Sequence, residues 1–218
     1  IKEIDINPLI ASGERILALD ARIILHENKV TEDRLPKLAI RPYPTKYIKN
    51  WTLKNGTPVT IRPIRPEDEP LLVQFHKMLS EETVHMRYFH AMNLSARIAH
   101  ERLVRRCFND YDREIALVAE RDIPETKERE IIAIGRLSKL HGKNEAEWSM
   151  IVSDRYQHEG LGTELLERLI QIGREEKLSR LSAVILQENF DMQNIAKKLG
   201  FHLQKACEGS EIIAGIEL

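Results

Sequence analysis

The chain has 218 residues, 42% of them hydrophobic, which is enough for one large or two small domains with a proper core. Its 33 Lys and Arg residues nearly balance 34 Asp and Glu residues, and a formal net charge of -1 argues against nucleic acid as a partner. No apolar run approaches the roughly 18 residues of a membrane span, and no export signal is present, which favours a cytoplasmic protein that does not enter membranes.

Residues 1–30 predict a β-hairpin. Two apolar runs, EIDINPLI and RILALDARIIL, flank the Gly-containing turn ASGE. With the turn centred between Gly13 and Glu14, Asn7 and Asp20 are expected to lie opposite each other on the two strands.

Residues 31–56 contain several prolines and show no sustained periodicity, so they are expected to form a linker or an extended arm. A domain boundary is therefore predicted before residue 57. The chain begins with Ile1 rather than Met, which suggests a piece of a longer polypeptide.

Residues 57–218 show an α/β pattern in which one helix connects two strands by a crossover. The helix predicted at 161–177 has one apolar stripe, formed by Leu161, Leu165, Leu166, Leu169, Ile170 and Gly173. Strands are predicted at 57–65, 114–120, 130–140, 145–152, 180–187, 201–206 and 211–217, and helices at 66–79, 81–89, 95–107, 161–177 and 191–199. The pattern predicts one mixed α/β domain.

Two glycines, Gly160 and Gly162, flank Leu161 where this helix begins. A glycine costs about 1 kcal/mol relative to alanine within a helix, so the pair requires a reason beyond packing. A short loop between a strand and a helix presents free N–H groups at the positive end of the helix dipole, where phosphate binds well. A plain turn before a helix is the alternative that the loop alone leaves open.

The segment RYQHEGLGT resembles the acyl-CoA loop of the GNAT N-acetyltransferase superfamily, whose pattern is Gln or Arg, two residues, Gly, one residue, then Gly or Ala. The later segment ENFDMQNIAKKLGF resembles the end of the same domain. The resemblance covers about residues 57–218 and implies the GNAT fold, a mixed, mostly antiparallel sheet with splayed central strands flanked by helices. It also implies acetyl-CoA as co-substrate, with no metal.

Site residues follow from this resemblance position by position. The CoA pyrophosphate is expected on backbone N–H groups of Gln157, Gly160, Leu161, Gly162 and Thr163. Pantetheine is expected on backbone groups of Ile151, Val152 and Ser153, with Asn189 at the mouth of the splayed strands. Arg155 is either a ligand of the ribose phosphate or a solvated surface residue.

A carboxylate near the acyl carbon is needed because a lysine amine, with a pKa of about 10.4, is almost wholly protonated at neutral pH. In EAEWSMIV, strand alternation places Glu147 on one face and the apolar Trp148 and Met150 on the other. Glu147 lies ten residues before Gln157, the spacing of the general base in lysine acetyltransferases of this superfamily. The alternative is an exposed sheet glutamate paired with a lysine.

Many relatives place a tyrosine on the last helix to protonate the leaving thiolate, but here that position is Ala196. The expected proton source is therefore water. Cys107 and Cys207 show no metal-ligand spacing and no neighbouring histidine motif, so both are expected to be free thiols in core or edge packing.

The segments SEETVHMRYFH and NDYDREIALVAE resemble the Pat-type protein acetyltransferases. This implies acetyl transfer to a protein lysine, with an acyl-CoA synthetase among the candidate acceptors. Two alternatives remain open, a small-amine acetyltransferase and a non-catalytic acyl-CoA sensor that regulates a fused synthetase.

The N-terminal hairpin resembles the end of the ATP-grasp subdomain of ADP-forming acyl-CoA synthetases, in which the residues matching Asn7 and Asp20 bind Mg²⁺. The other parts of that fold are missing from the sequence. The resemblance therefore implies a remnant that does not bind ATP by itself.

Overall fold

The computed structural model describes residues 1–31, 35, 40–124, 126, 128–206 and 209–218. Residue contacts divide the chain into two units, Ile1–Ala39 and Ile40–Leu218. In the described residues, no helix is both long enough and apolar enough to cross a bilayer.

The smaller unit is a β-hairpin built from four short strands. β1 (Glu3–Ile6) pairs with β4 (Ala21–Ile24), and β2 (Leu9–Ala11) pairs with β3 (Ile16–Ala18). Between the two ladders, Asn7 N–H donates to the carbonyl of Asp20 at 3.2 Å, next to a cis Asn7–Pro8 peptide bond. The predicted hairpin is confirmed, and Asn7 lies opposite Asp20 as its register requires.

The larger unit contains an eight-stranded sheet with helices on both faces. The strand order is β11-β12-β10-β9-β8-β7-β6-β5, and every neighbouring pair is antiparallel except β9 with β10. The strands are β5 (Lys49–Thr52), β6 (Pro58–Pro63), β7 (Glu114–Asp122), β8 (Arg129–Lys139), β9 (Glu145–Val152), β10 (Arg180–Leu186), β11 (His202–Lys205) and β12 (Glu211–Glu217). The helices are α1 (Glu69–Lys77), α2 (Glu81–Tyr88), α3 (Leu94–Arg97), α4 (His100–Cys107), α5 (Leu161–Glu175) and α6 (Phe190–Lys198). The predicted mixed α/β fold is confirmed.

Two hydrophobic clusters occupy the two faces of the sheet. On one face, the predicted apolar stripe of α5 is buried throughout, together with Trp148 and Met150 of β9. On the other face, α1 and α4 bury Phe75 and Leu103 against the sheet, where Ile151 of β9 joins them. The alternation predicted for β9 is therefore confirmed, and it leaves Glu147 on the same face as α2.

The segment predicted as a linker through residue 56 takes part in the larger unit from residue 40 onward. The Arg41 guanidinium donates to the Glu176 carboxylate at 2.7 Å, and the Tyr43 hydroxyl donates to the Pro63 carbonyl at 2.7 Å. β5 then pairs with β6 as the edge strand of the sheet. This strand was not predicted from the sequence because Lys49–Thr52 does not alternate between apolar and polar residues.

The helix predicted at 95–107 is instead two helices, α3 and α4. Ala99 adopts an extended backbone conformation that ends the first helix and caps the second. The Arg102 side chain donates to the carbonyl of Arg97 at 3.2 Å, which satisfies one of the groups left free at the end of α3.

Candidate active site

A cleft of about 790 Å³ opens where β9 and β10 separate. The two strands pair in parallel only from Glu145 to Glu147 on β9, opposite Arg180 to Ser182 on β10. Beyond Glu147 they diverge, and the walls of the cleft are completed by α2, the loop before α5 and the start of α6. The splayed central strands that the sequence predicted are therefore present.

The register of β9 determines which backbone groups face this cleft. Ser153 N–H donates to the Ile132 carbonyl at 2.9 Å, and Leu140 N–H donates to the Glu145 carbonyl at 2.9 Å. Hydrogen-bonded pairs alternate along an antiparallel ladder, so odd-numbered residues of β9 direct their backbone groups toward β8. Even-numbered residues direct theirs toward the gap that β10 leaves.

This register contradicts the prediction that Ile151 and Ser153 offer backbone groups to a ligand. Ile151 is bonded toward β8, and the Ser153 carbonyl also accepts from Tyr156 N–H at 2.8 Å. Val152 does face the gap, as predicted, and Met150 faces it as well. The sequence interpretation missed Met150 because side-chain alternation does not reveal which edge of a strand is free.

The loop before α5 presents a row of free N–H groups at the open end of the cleft. Gly160 precedes the helix with φ of 87°, and the first N–H to bond within the helix is that of Glu164, to the Gly160 carbonyl at 3.1 Å. The N–H groups of Leu161, Gly162 and Thr163 therefore have no partner within the helix. Gly160, Gly162 and Thr163 line the cleft, while the Leu161 side chain is buried in the core.

Gln157 lines the cleft through its side chain, which connects three elements. Its Nε2 donates to Thr83 Oγ1 at 3.1 Å and to the Val152 carbonyl at 3.2 Å. Its backbone N–H points to the Asp154 carbonyl at 3.5 Å, so this N–H is not free in the way that the sequence interpretation expected. Gln157 thus fixes the loop to β9 and α2.

Asp154 attaches the start of α2 to the same loop. Its carboxylate accepts from Ser80 N–H at 3.0 Å, from Ser80 Oγ at 2.6 Å and from Thr83 Oγ1 at 2.8 Å. Burial raises the pKa of Asp154, but the hydrogen bonds from Ser80 and Thr83 outweigh it, and the net pKa is lowered. The carboxylate is therefore ionised at the N-terminus of a helix, where negative charge is stabilising.

The turn between β5 and β6 contacts the glycine loop, which the sequence interpretation missed. Lys54 Nζ donates to the His158 carbonyl at 3.0 Å, and Asn55 N–H donates to the Glu159 carboxylate at 2.9 Å. Lys54 lines the cleft beside Gly160. The pair Asn55–Gly56 is a strong hairpin signal and could have revealed this turn.

Glu147 lies at the apex of the cleft, where β9 and β10 stop pairing. It is exposed, and it forms no salt bridge or side-chain hydrogen bond with any residue that the structure describes. Among the described residues, Glu147 is therefore not paired with a lysine, which was the alternative interpretation. A free carboxylate at the end of a cleft can accept a proton from a bound amine.

The sequence also matches a known protein family. The family model described as "Acetyltransferase (GNAT) domain" matches residues 59–202, well over half of the chain. The chain belongs to the GNAT acetyltransferase family. It is an acyltransferase, and its eight-stranded mixed sheet is the GNAT fold.

Individual relatives agree with this membership. "Acetyltransferase PA5475" from Pseudomonas aeruginosa is 28% identical over 150 residues, which cover 69% of this chain and 78% of the relative. The GNAT domain of S. lividans PAT has a similar structure, with a TM-score of 0.71 and 24% identity, covering 81% of this chain and all of that one. Mycobacterium smegmatis RimJ in complex with CoA-disulfide has a TM-score of 0.61 and 14% identity, covering 78% of this chain and 86% of that one.

Three further positions that the GNAT resemblance singled out can be located in the structure. Asn189 lines the cleft, and its side-chain oxygen accepts from Met192 N–H at 3.1 Å, so it caps α6. Ala196 is fully buried on α6 and presents no group that could donate a proton to a leaving group. Arg155 is exposed and does not line the cleft, which agrees with a solvated side chain.

Arg87 is a cleft residue that the sequence interpretation did not identify. Its Nη2 donates to Ser149 Oγ at 2.7 Å, which places the guanidinium beside the strand that carries Glu147.

Cys107 is fully buried in the second hydrophobic cluster, and burial raises the pKa of its thiol to about 12. The packing role predicted for Cys107 is confirmed, while Cys207 lies outside the described residues.

Proposed function

We propose that this GNAT domain transfers an acetyl group from acetyl-CoA to a lysine amine of a protein in the cytoplasm, with an acyl-CoA synthetase among the candidate acceptors. The observation that carries the proposal is Glu147, a carboxylate without a salt bridge in the described residues, at the apex of a cleft whose other end is a helix N-terminus with free N–H groups. A carboxylate for the acceptor amine and an anion site for the donor, in one cavity, are what acetyl transfer to an amine requires.

The donor end of the cleft suits a pyrophosphate and an extended arm. The N–H groups of Leu161, Gly162 and Thr163 offer hydrogen bonds at the positive end of α5. Met150 and the Val152 N–H offer the backbone edge along which pantetheine would lie, because the Val152 carbonyl already accepts from Gln157 Nε2. Glu147 is five residues from Val152, so the strand spans about 17 Å between the loop end and the apex.

In the proposed mechanism, acetyl-CoA supplies a thioester, and Glu147 accepts a proton from the attacking amine, directly or through one water. The new N–C bond forms as the C–S bond breaks. Because Ala196 carries no hydroxyl, water supplies the proton for the departing thiolate.

A protein lysine is proposed as acceptor because two segments of the sequence resemble Pat-type enzymes, and the GNAT domain of S. lividans PAT shares the fold over 81% of this chain. A small amine is the competing acceptor. The competing function is regulation of a synthetase by acyl-CoA binding without turnover. That function needs no general base.

Replacement of Glu147 by Gln tests the proposal. CoA release is measured with acetyl-CoA and a panel of lysine peptides and small amines. General-base catalysis typically contributes about 10²- to 10⁴-fold, so Glu147→Gln should lower kcat by that factor and leave acetyl-CoA affinity nearly unchanged. Glu145→Gln, two residues earlier on the same face of β9, is the matched control and should retain activity. Turnover within about twofold of the wild type in Glu147→Gln would refute the base assignment.

A further inference from the structure

A group of arginines lies directly beside the acceptor end of the cleft. Arg87 and Arg102 both contact the Tyr88 ring, with guanidinium carbons 5.1 and 5.0 Å from its centroid. Arg87 and Tyr88 line the cleft, while Arg102 lines a neighbouring groove of about 510 Å³ together with Arg105 and Arg106 of α4. The arginine surface, defined as Arg87, Arg102, Arg105 and Arg106, therefore runs from the cleft onto the outside of α4.

The positive charge of this surface is only partly offset by its neighbours, since Glu101 and Glu114 line the same groove. Within the described part of the chain, none of its four arginines forms a salt bridge. The nearby Arg136 adds a fifth cation, although it is paired with Glu114. Burial lowers the pKa of the Arg87 guanidinium, and the nearby Arg106 and Arg102 lower it further, while Tyr88 and the Glu147 carboxylate raise it.

Such a concentration of unpaired arginines is unexpected in a chain with a net charge of -1. Like charges held close together destabilise a fold, and arginines without carboxylate partners are typical of surfaces that bind an anionic partner. Arg105 and Arg106 are exposed on α4, so their side chains are available to one.

We propose that the arginine surface binds an acidic segment of the acceptor protein, next to the lysine that enters the cleft. This inference rests on the proposed function, since it concerns the same acceptor. The groove also contains Glu101 and Glu114, which would repel a continuous phosphate backbone, so a peptide with separate carboxylates is a better match than nucleic acid.

The test compares three synthetic peptides, each with one central lysine, flanked by Asp and Glu, by Ser and Ala, or by Arg. The acidic peptide should have the highest kcat/KM, mainly through a lower KM. The acidic-to-neutral ratio should fall between 0.1 and 1 M salt, as the screening length decreases from about 10 to about 3 Å.

Two charge reversals locate the effect. Arg105→Glu should lower the acidic-to-neutral ratio of kcat/KM by about five- to tenfold, the range expected when one exposed ion pair becomes a repulsion. Arg174→Glu is the matched control, because Arg174 is an exposed arginine on α5, which packs on the opposite face of the sheet from α4. It should leave the ratio unchanged.

The outcomes separate this inference from the proposed function. Two results would refute acidic-peptide binding by the arginine surface while leaving lysine acetylation supported. One is acetylation of all three peptides without a preference for the acidic one, and the other is an equal effect of both charge reversals. Inhibition by a DNA duplex that exceeds inhibition by a lysine-free acidic peptide would overturn it in favour of nucleic acid. If only small amines are acetylated, the proposed function fails, and this inference fails with it.

Discussion

Replacing Gly160 with alanine tests whether the loop before α5 is shaped for a ligand. Gly160 has φ of 87°, a left-handed conformation that costs an L-residue about 1–2 kcal/mol. The new Cβ would lie 3.4 Å from Trp51 Cη2 and 3.6 Å from Lys54 Cε, which are ordinary contacts, so the cost comes from the backbone rather than from a clash.

This cost can appear in either of two measurements. If the loop keeps its shape, the free energy of unfolding falls by about 1–2 kcal/mol; if the loop relaxes, the N–H groups lose their alignment and CoA binds about 5- to 30-fold more weakly. The loss in unfolding free energy measured in urea and the loss in CoA binding free energy measured by calorimetry should therefore add up to about 1–2 kcal/mol.

Gly162→Ala is the matched control for Gly160→Ala. Gly162 lies in the first turn of α5, where alanine is a better helix former, and its new Cβ meets only the side-chain methyl Cδ1 of Ile195 at 3.0 Å, with Met150 Sδ at 3.7 Å. A small movement of Ile195 accommodates this, so both quantities should change less than for Gly160→Ala. If Gly160→Ala retains wild-type stability and CoA affinity, the loop is not held in the left-handed conformation, and the reasoning is wrong.

Three further predictions concern other parts of the domain. Lys54→Met, which keeps the aliphatic stem, should weaken CoA binding about fivefold if the exposed ammonium contacts a phosphate, whereas Lys49→Met should not. Burial lowers the pKa of His76 to about 4 from 6.5, so below pH 6.5 the unfolded chain binds a proton that the folded chain does not. Unfolding free energy should therefore fall by up to about 3 kcal/mol as pH drops from 7 to 4, and His76→Phe should remove that part of the loss in urea titrations. Cys107 should not react with a thiol reagent in a folded Cys207→Ser variant until the domain unfolds, since its thiol is fully buried with a pKa of about 12.

The sequence by itself determined the features that depend on neighbouring residues. The alternation in EAEWSMIV separated Glu147 from Trp148 and Met150, and the spacing of leucines in α5 identified its buried face. The position of the turn at Gly13 and Glu14 fixed the hairpin register that places Asn7 opposite Asp20. Side-chain periodicity of 2 or 3.6 residues is a local property, so it can be counted along the chain.

Only the tertiary structure decided features that depend on residues distant in sequence. Whether Met150 or Ile151 turns its backbone toward the cleft depends on the pairing of β9 with β8 and on the point at which β10 leaves it. The contact of Lys54 with the glycine loop joins residues about one hundred positions apart, and the arginine surface combines α2 with α4. These arrangements follow from strand register and helix packing, which fix long-range contacts that no local pattern records.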